Sequence, residues 1–478
     1  MARIDGFVNG SYESQNPTIA GERTINLFAE RVPVGGTARA ALDPAPGLTE
    51  FATLTKAPGR GIFFEDGRLF AVYGDTLYEI DANGTPTARG TVLVDSNPAT
   101  ISTNGDGGSE LFVTSGDRGD ILDLTTNTFL AGEVSDITFG GQLDGFFVGL
   151  DAASSTMKIS EALDGQTWDA TQIAQRTAAS DPWLAQMIVT REIYLFGEKT
   201  GEVWYNAGRS PFPFAQRPGA FFEVGILAPF SLSKFGGTMA WLGRSEHGTG
   251  GVYWMNGYHP DEISTPAVRW AIQQYEDAGE ITDAIGWSYE REGHSFYVLT
   301  FPRADRTWVY DATTNQWHER GFWSSPDNDF LAYRPQYHAV GFGRNLVCDN
   351  NGNKMYSLSS EVYTDVDGEE LRRVRQFQSP TRGNRRWFFT SAELECERGV
   401  GLAVAEGALG HDPQVALQYS NTGGKTWSDN RFRSVGQRGE YDTRVRWDGC
   451  GSGRTRMWRL WSSDPVSTRW FDFYVGLH

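Results

Sequence analysis

Cysteine is scarce in this sequence, and the three cysteines lie far apart along the chain. They are Cys348, Cys396 and Cys450 among 478 residues. A disulfide framework needs an even set at regular spacing, and a cysteine zinc site needs closely spaced pairs of ligands. The pattern therefore argues against a disulfide-stapled module and against a cysteine metal site.

Long apolar segments are also lacking. No stretch of 18 apolar residues occurs, so the sequence predicts no transmembrane helix. The first 30 residues lack the basic segment followed by an apolar segment that marks a secretory signal peptide. We therefore expect the chain to be made and folded in a cytosol.

Histidine is the third scarce residue type, and none of the seven histidines stands in a metal-binding pattern. The sequence shows no nucleophile elbow, Walker loop or dinucleotide fingerprint in its required context either. His294 and His318 are expected to be neighbours in one folding unit, in hydrogen-bonded structural roles rather than as metal ligands. These patterns predict no cofactor and no metal site.

Glycine and aromatic residues are abundant, with 56 glycines and an aromatic content of 13%. This composition is typical of an all-β chain with many tight turns. Residues 284–323 show four short strand patterns, which are separated by a Glu-Gly turn, by Pro302 and by a polar turn at 311–315. Four antiparallel strands in about 40 residues match one blade of a β-propeller.

Similar apolar cores recur along the chain at steps of roughly 35–55 residues, within the period expected of propeller blades. They lie at residues 68–73, 110–114, 145–149, 192–196, 238–242 and 345–348. The sequence therefore predicts six or seven four-stranded blades, the number depending on whether the first or last is shared. The alternative is a set of unrelated β-meanders or sandwiches.

The repeat also sets the expected domains. Residues 58–366 form the propeller, residues 1–57 join a terminal platform, and residues 367–478 form a β-sandwich-like domain for platform and docking. Residues 171–187 and 208–230 interrupt the repeat. One helix is predicted, with Thr265 as N-cap, Pro266 at the first position and an end near Gly279.

The second interruption is rich in proline and phenylalanine. It reads Gly-Arg-Ser-Pro-Phe-Pro-Phe-Ala-Gln-Arg-Pro-Gly-Ala-Phe-Phe at 208–222. A long aromatic loop is either an insertion packed on the propeller or a contact surface. Phe212, Phe214, Phe221 and Phe222 are therefore candidates for a gate or a subunit contact.

Charge is unevenly distributed along the chain. The formal net charge is −18, yet residues 371–478 carry 17 Lys and Arg against 11 Asp and Glu. The acidity argues against a general DNA-binding protein. A basic end on an acidic body is consistent with docking on an acidic partner, and equally with ordinary surface variation. Arg372, Arg373 and Arg375 are the candidate docking residues.

One turn motif has a known physical role. Ser-Asn-Thr-Gly-Gly-Lys-Thr-Trp at 420–427 resembles the Asp-box hairpin, with Thr422 where Asp is usual. A short polar side chain closes such a turn onto backbone N–H groups, and the tryptophan packs the hairpin down. Sialidases carry these boxes away from their active sites, so the motif predicts a structural turn.

An ordered set of motifs across nearly the whole chain resembles one protein family. The set includes Gly-Glu-Arg-Thr-Ile-Asn-Leu-Phe at 21–28, Leu-Phe-Ala-Val-Tyr-Gly-Asp-Thr-Leu-Tyr at 69–78, Ile-Tyr-Leu-Phe-Gly-Glu-Lys-Thr-Gly-Glu-Val-Trp-Tyr at 193–205, and the 417–427 hairpin. In this order they resemble the packaged-DNA stabilisation proteins, the tail hubs or nozzles of short-tailed bacteriophages.

The resemblance implies a structural virion protein without catalytic residues. It implies a homo-hexameric ring below the portal and its adaptor ring, which retains packaged DNA and serves as the conduit for genome ejection. It also implies contacts with a tail needle or tail-tip protein and with tailspikes or fibres. Six acidic chains would line a channel that repels DNA phosphates, so that duplex DNA passes without sequence-specific binding.

Two other classes of function stay open at this stage. One is a sialidase-like or other glycan hydrolase, which would need several arginines converging on a carboxylate. The other is a glycan-binding propeller. Arginine is abundant enough that sequence alone does not exclude the first.

Overall fold

Strands make up nearly all of the regular structure. The computed structural model describes residues 1–17, 19–31, 40–176, 180–245, 248–379 and 385–478. Within these ranges the only α-helix is Pro266–Asp277, and short 3-10 turns occur at Pro229–Ser231 and Val366–Gly368. None of the helical segments in the described ranges has the length and apolar character needed to cross a membrane. The all-β prediction is confirmed.

The described residues contain seven antiparallel blades of a β-propeller, so the prediction of six or seven is confirmed and the alternative of unrelated meanders is wrong. Blades 1 and 2 consist of Gly59–Glu65, Arg68–Tyr73, Thr76–Ile80 and Pro86–Thr91, then Thr100–Thr103, Glu110–Ser115, Arg118–Asp123 and Thr128–Ser135. Blades 3 and 4 consist of Phe139–Leu143, Phe146–Asp151, Thr156–Ile159 and Ile173–Gln175, then Trp183–Val189, Glu192–Gly197, Gly201–Asn206 and Phe214–Phe222.

Blade 5 has a divided inner strand, because Val224–Ile226 and Ser233–Phe235 both pair with the next strand. Its other strands are Thr238–Ser245, Gly251–Asn256 and His259–Glu262. Blade 6 consists of Ile285–Arg291, His294–Phe301, Arg306–Asp311 and Gln316–Arg320. Blade 7 consists of Pro335–Gly341, Arg344–Asp349, Lys354–Ser359 and Gly47–Thr53. The innermost strands touch their neighbours around the whole ring, with the turn Pro229–Ser231 linking blades 4 and 5.

The ring is closed by a strand from the start of the chain. Gly47–Thr53 pairs antiparallel with Lys354–Ser359 and supplies the outer strand of blade 7. Propeller residues therefore begin before the expected boundary at residue 57. Gly84 shows how closely this strand is covered: its φ is +83°, and an added Cβ would lie 2.0 Å from the Phe51 carbonyl oxygen.

The two expected interruptions are part of the blades. Trp183–Val189 is the inner strand of blade 4 and Phe214–Phe222 is its outer strand. The proline residues obscured the second strand, because Pro218 lies where the ladder shifts register and so removes no regular hydrogen bond. The helix matches its prediction: the Thr265 hydroxyl accepts a hydrogen bond from Val268 N, and Pro266 opens the first turn.

A β-sandwich combines both ends of the chain, which confirms a platform built from the terminal regions. Its terminal sheet consists of Leu27–Glu30, Ala41–Pro44, Trp470–Leu477, Trp387–Cys396 and Val445–Asp448, with Ala2–Arg3 and Ser452–Gly453 at its margins. Its second sheet, called here the junction sheet, consists of Gly21–Ile25, Arg373–Gln378, Met457–Ser462, Gln414–Ser420 and Arg431–Ser434, with Tyr12–Glu13 beside the first strand. Trp447, Trp458, Trp470 and Phe473 fill the core between the two sheets.

The junction sheet continues directly into the propeller. Ile25 pairs in parallel with Glu319 of blade 6, so blade 6 and the junction sheet form one ten-stranded sheet. The small hairpin of Phe322–Ser324 and Asp329–Leu331 follows blade 6. Sandwich and propeller are therefore joined by backbone hydrogen bonds as well as by the linker at 359–373.

Candidate functional site

Strand alternation separates the three candidate docking arginines. Arg373 and Arg375 project to one side of the junction sheet and are fully buried, whereas Arg372 lies at the strand's start and is half-buried. Arg373 donates to the Val466 carbonyl oxygen at 2.7 Å and to that of Asp464. Burial lowers the pKa of Arg373 to about 10.

Arg375 secures the N-terminal segment from inside the sandwich. Its guanidinium donates to the carbonyl oxygens of Phe7 at 2.8 Å and Gly6 at 2.9 Å, and to the Thr24 hydroxyl at 3.0 Å. It also pairs with Glu22 at 3.1 Å. The expectation that Arg373 and Arg375 form an exposed docking surface is therefore wrong, because both serve the interior of the chain.

Arg372 lies in an aromatic clamp at the edge of the junction sheet. Its guanidinium carbon is 3.6 Å from the ring centroid of Trp323 and 4.2 Å from that of Trp461. It also pairs with Glu370 at 3.0 Å. Stacking between two indoles is a favourable environment for an arginine, so this side chain holds the small hairpin onto the junction sheet.

Beside this clamp lies a pocket of about 240 Å³, called here the junction pocket. Its principal lining residues are Arg23, Arg372, Arg459, Trp323, Trp461 and Asn430. They come from segments more than 400 residues apart, and sequence reasoning missed them. Period-two alternation marks residues 372, 374 and 376 as one face, but only the strand pairing brings Arg23 and Arg459 to that face.

The candidate phenylalanines occupy different environments. Phe214 and Phe222 are buried in the propeller core, and Phe212 is half-buried against Phe214. Phe221 is the only exposed member of the four, at 42%. Neighbouring residues of a strand point to opposite faces, which explains why Phe221 and Phe222 differ. Of the four, Phe221 offers the most exposed side chain for a gate or a subunit contact.

A central funnel of about 440 Å³ lies among the inner strands of the propeller. Phe63, Phe139, Phe230 and Ile188 give it apolar walls. Glu65 is the one carboxylate in its described lining, and Lys234 is the one cation. Burial lowers the pKa of Lys234, and the negative charge of Glu65 offsets part of that decrease. A glycan hydrolase usually places two carboxylates across its substrate, and this lining supplies one.

His294 and His318 lie in the same blade, and their ring centroids are 5.1 Å and 6.5 Å from that of Phe28. His294 Nδ1 lies 2.8 Å from Asp311, and its Nε2 lies 2.7 Å from Glu30 of the terminal sheet. The hydrogen bond with Asp311 raises the pKa of His294, and the hydrogen bond with Glu30 adds to this effect. Burial acts in the opposite direction, and the resulting pKa is about 9. Burial lowers the pKa of His318 to about 3. Both rings therefore have structural environments, and the described residues contain no cluster suited to a metal ion.

The hairpin at 420–427 has the expected turn chemistry. The Ser420 hydroxyl accepts from the backbone N–H groups of Thr422 at 3.2 Å and Gly424 at 3.0 Å. The Thr422 hydroxyl accepts from Thr426 N at 2.9 Å, so it takes over the role of the usual aspartate. Trp427 stacks under Arg459 at 3.8 Å. The motif closes a turn and supports the junction pocket.

Two family models match the chain in succession. A model described as bacteriophage P22 Gp10, beta-propeller, matches residues 6–363. A model described as bacteriophage P22 Gp10, beta-sandwich, matches residues 375–476. Together they cover nearly the whole sequence, and their order agrees with the two domains of the structure. No curated protein sequence matches the chain significantly.

Solved structures with related shapes are distant. The WD40 repeats of RRP9 match with a TM-score of 0.37 and 9% identity, over 66% of this chain and 99% of that one. PorZ of Porphyromonas gingivalis matches with a TM-score of 0.37 and 10% identity, over 80% and 46%. An exo-β-1,3-galactanase from Phanerochaete chrysosporium matches with a TM-score of 0.30 and 8% identity, over 90% and 99%. Likeness at this level carries no functional argument.

Proposed function

The chain belongs to the bacteriophage P22 Gp10 family of packaged-DNA stabilisation proteins, and from this premise we propose that it is the subunit of a hexameric tail nozzle. Membership makes it a structural protein of the phage virion. In the proposal, six copies form a ring below the portal and adaptor rings. The ring retains the packaged genome and later conducts it into the host.

One observation carries this proposal: both domains of the family match this chain, and in the structure the two domains share strands. Blade 6 and the junction sheet form one ten-stranded sheet, and the segment before residue 54 contributes strands to both domains. A subunit of a ring that holds back packaged DNA needs domains that do not swing apart. Shared strands meet that requirement better than a flexible linker does.

The charge distribution supports a conduit role. Outside residues 371–478 the chain carries a net charge of about −24, and six such bodies around a channel would repel DNA phosphates. Repulsion keeps the duplex from sticking to the wall, so DNA passes without sequence-specific binding. The virion tail is the proposed location, after synthesis in the cytoplasm of the bacterial host.

The basic sandwich is the proposed docking domain for the adaptor ring. Arg373 and Arg375 are unavailable for docking, but exposed arginines such as Arg433 and Arg438 lie on the same domain. A basic surface facing an acidic rim would guide association and orient the subunits. Tail needle or tail-tip proteins and tailspikes or fibres are the other proposed partners, and Phe221 is the proposed gate or subunit contact.

The decisive experiment is mass measurement by light scattering, for the chain alone and with the portal–adaptor complex of its phage. We expect six copies to join the complex, and Arg433→Glu with Arg438→Glu to weaken the joining. Arg191→Glu, an exposed charge reversal on the propeller, is the matched control and should leave joining unchanged.

A chain that stays monomeric and ignores the complex would contradict the nozzle proposal. In that case glycan arrays and hydrolase assays on sialosides and polysaccharides would become the next measurements. Among the described residues that line the central funnel, no contact or distance favours glycan chemistry as a second candidate function, so it enters here only as an outcome of the test.

A further inference from the structure

The linker at 359–373 is fastened to the strand that closes the propeller ring. Gly47 N donates to the Val362 carbonyl oxygen at 3.0 Å, and Leu48 N donates to that of Thr364 at 2.9 Å. The contact is close, because a Cβ added to Gly47 would lie 2.2 Å from the Val362 oxygen. The closing strand of blade 7 is therefore held at its start by the linker.

Asp365 organises the turn in the middle of this linker. Its backbone N–H donates to the Glu369 carbonyl oxygen at 2.8 Å, and its side-chain Oδ1 accepts a hydrogen bond from Val366 N at 2.7 Å. The 3-10 turn Val366–Gly368 begins at this cap. The side chain thus satisfies a backbone N–H that has no partner within the turn. Because the linker carbonyl groups that bind the closing strand come just before the turn, the cap also fixes their position.

Within the described ranges, the carboxyl group of Asp365 is buried without an ion pair. The residue is 1% exposed, and its second oxygen, Oδ2, has no hydrogen-bond partner among the residues that the structure describes. A buried carboxylate is unfavourable unless a cation or several hydrogen-bond donors compensate for the lost hydration. One backbone N–H on one of the two oxygens leaves this compensation incomplete.

The charged groups of the neighbouring blades that act on Asp365 have other partners. Arg334, just before the first strand of blade 7, makes a two-pronged pair with Asp349, and its Nε lies 3.1 Å from the Asp349 Oδ1. Arg320 of blade 6 donates to the Tyr289 hydroxyl at 2.9 Å. Both arginines therefore act on Asp365 only from a distance.

The other acidic side chains of the linker differ from Asp365 in exposure. Asp367 binds the Lys354 ammonium at 2.9 Å and the Tyr356 hydroxyl at 3.0 Å. Glu370 pairs with Arg372 at 3.0 Å. Asp365 is the one buried acid between residues 359 and 373, so it is the linker group whose ionisation costs most.

Burial raises the pKa of Asp365 from 3.8 to about 7. The N–H of Val366 and the two arginines act in the opposite direction but offset only part of the rise, and the negative charge of Asp349 adds to it. Tyr333 faces the same carboxyl group, and its buried hydroxyl lacks a partner in the described part of the chain. Burial raises the pKa of Tyr333, so this side chain stays neutral. Asp365 therefore changes its charge near neutral pH.

We propose that Asp365 is a proton-controlled latch, which holds the linker on the closing strand when it is protonated and loosens that contact when it ionises. In the ionised form, a buried charge without a close cation favours a local opening that brings the carboxylate into water. Gly47 and Leu48 then lose their linker partners. The inference goes beyond the nozzle proposal, because it concerns a single chain and requires no ring.

The direction of the pH effect follows from the two states of the linker. In the closed linker the pKa of Asp365 is about 7, whereas in an opened linker it returns toward 3.8. The stabilisation of the closed linker is therefore complete below about pH 4 and is lost as the pH rises through 7.

The test is amide hydrogen exchange of the full chain, followed by mass spectrometry at about pH 5 and about pH 7. Protection factors remove the intrinsic pH dependence of exchange. In the unmodified chain, we expect the protection of the peptides that contain Gly47, Leu48 and Glu369 to fall at least about tenfold between the two. The strand Glu192–Gly197 in blade 4 is the internal reference and should keep its protection.

Two matched variants separate the latch from other carboxyl groups. Asp365→Asn keeps the shape of the side chain and its capping oxygen but does not titrate, so the linker should keep its protection at both pH values. Asp66→Asn neutralises an exposed carboxylate in a turn of blade 1 and should show the same fall as the unmodified chain.

A second variant and a second measurement keep the test decisive if Asp365→Asn folds poorly. Asp365→Ser is also neutral and can cap the turn, and it should likewise remove the fall in protection. Infrared spectra of the unmodified chain should show a protonated carboxyl band that disappears around pH 7 and is missing from Asp365→Ser.

Three results would overturn the latch. One is linker protection in the unmodified chain that does not change with pH. Another is a fall that persists in the Asp365 variants. The third is an equal fall in Glu192–Gly197, because it would mean that the whole propeller loosens rather than its closure.

Discussion

At the scale of single residues, burial decides which charges shape the behaviour of the protein. His294 is 4% exposed and lies between Asp311 of blade 6 and Glu30 of the terminal sheet. Protonated, it is a cation between two carboxylates and connects the propeller with the sandwich. Arg372, Arg373 and Arg375 make the complementary point: a basic sequence cluster predicts charge but not exposure, which depends on strand phase.

We predict that His294 makes stability fall at alkaline pH. Its pKa is raised from 6.5 to about 9, so its stabilising contribution is complete below about pH 6.5 and is lost as the pH rises through 9. A shift of this size corresponds to up to about 3 kcal/mol in the free energy of unfolding. Urea unfolding between pH 6 and 10 should show this fall, and His294→Gln should remove most of it.

His259→Gln is the control for that measurement, because the His259 side chain is exposed and pairs with Asp261 at a distance of 3.7 Å. It should leave the pH profile of stability as it is in the unmodified chain. The prediction would be contradicted if His294→Gln kept the same loss of stability between pH 6.5 and 9.

At the scale of elements, Phe214–Phe222 shows how a strand can look like a loop in the sequence. Its Pro-Gly pair and the prolines just before it suggested an insertion, yet it completes blade 4 as the outer strand. Phe222 pairs with Gly201 and packs against Phe196 and Trp241. An added Cβ on Gly201 would lie 2.1 Å from the Phe222 ring, so the ring fills the space that the missing side chain leaves.

We predict opposite consequences for two neighbouring substitutions in this strand. Phe222→Ala should lower the free energy of unfolding by about 3–5 kcal/mol, because it leaves a cavity in the propeller core. Phe221→Ala should lower it by less than about 0.5 kcal/mol, as expected of a surface substitution. Denaturant unfolding of the two variants measures both. Equal losses would contradict the alternating exposure of the strand.

The Phe221→Ala variant also tests whether this side chain acts in assembly rather than in folding. If it forms a subunit contact, Phe221→Ala should fold normally and join the portal–adaptor complex poorly. The same variant with normal folding and normal joining would remove Phe221 from the proposed contacts.

The sequence predicted the local elements well and the distant pairings poorly. The apolar segment near residue 295 and six similar segments located the blades. Thr265 with Pro266 located the helix. Both signals are local in the sequence. The strand Gly47–Thr53 was assigned to the platform, since its partner Lys354–Ser359 lies about 300 residues away. The junction pocket was missed for the same reason: its walls meet only through pairing that no local pattern encodes.

At the scale of the whole molecule, the propeller and the sandwich are continuous through one sheet. The pair of Arg23 and Glu319 lies where they meet, with Arg23 on the junction sheet and Glu319 on blade 6. Burial lowers the pKa of Arg23, but the adjacent Glu319 more than offsets it, so the pKa is raised. Both side chains are mostly covered, at 24% and 9% exposure, so the pair is shielded from solvent.

We predict that this pair couples the unfolding of the two domains. Scanning calorimetry of the unmodified chain should show one transition, because the shared sheet cannot melt in one domain alone. Glu319→Gln should lower stability by about 2 kcal/mol, since it leaves Arg23 partly buried without its close partner. It should also separate the transition into two. Removing the exposed pair of Arg444 and Glu393 within the sandwich should change stability by less than about 1 kcal/mol and leave one transition.

The double variant Arg23→Gln with Glu319→Gln decides whether the coupling is specific to the pair. If the two side chains act on each other, the double variant should lose less stability than the sum of the single losses. Strictly additive losses would show that each side chain acts through other neighbours, such as Glu13 at 4.0 Å from Arg23. A single transition in every variant would show that backbone pairing between Ile25 and Glu319 holds the domains together without this ion pair.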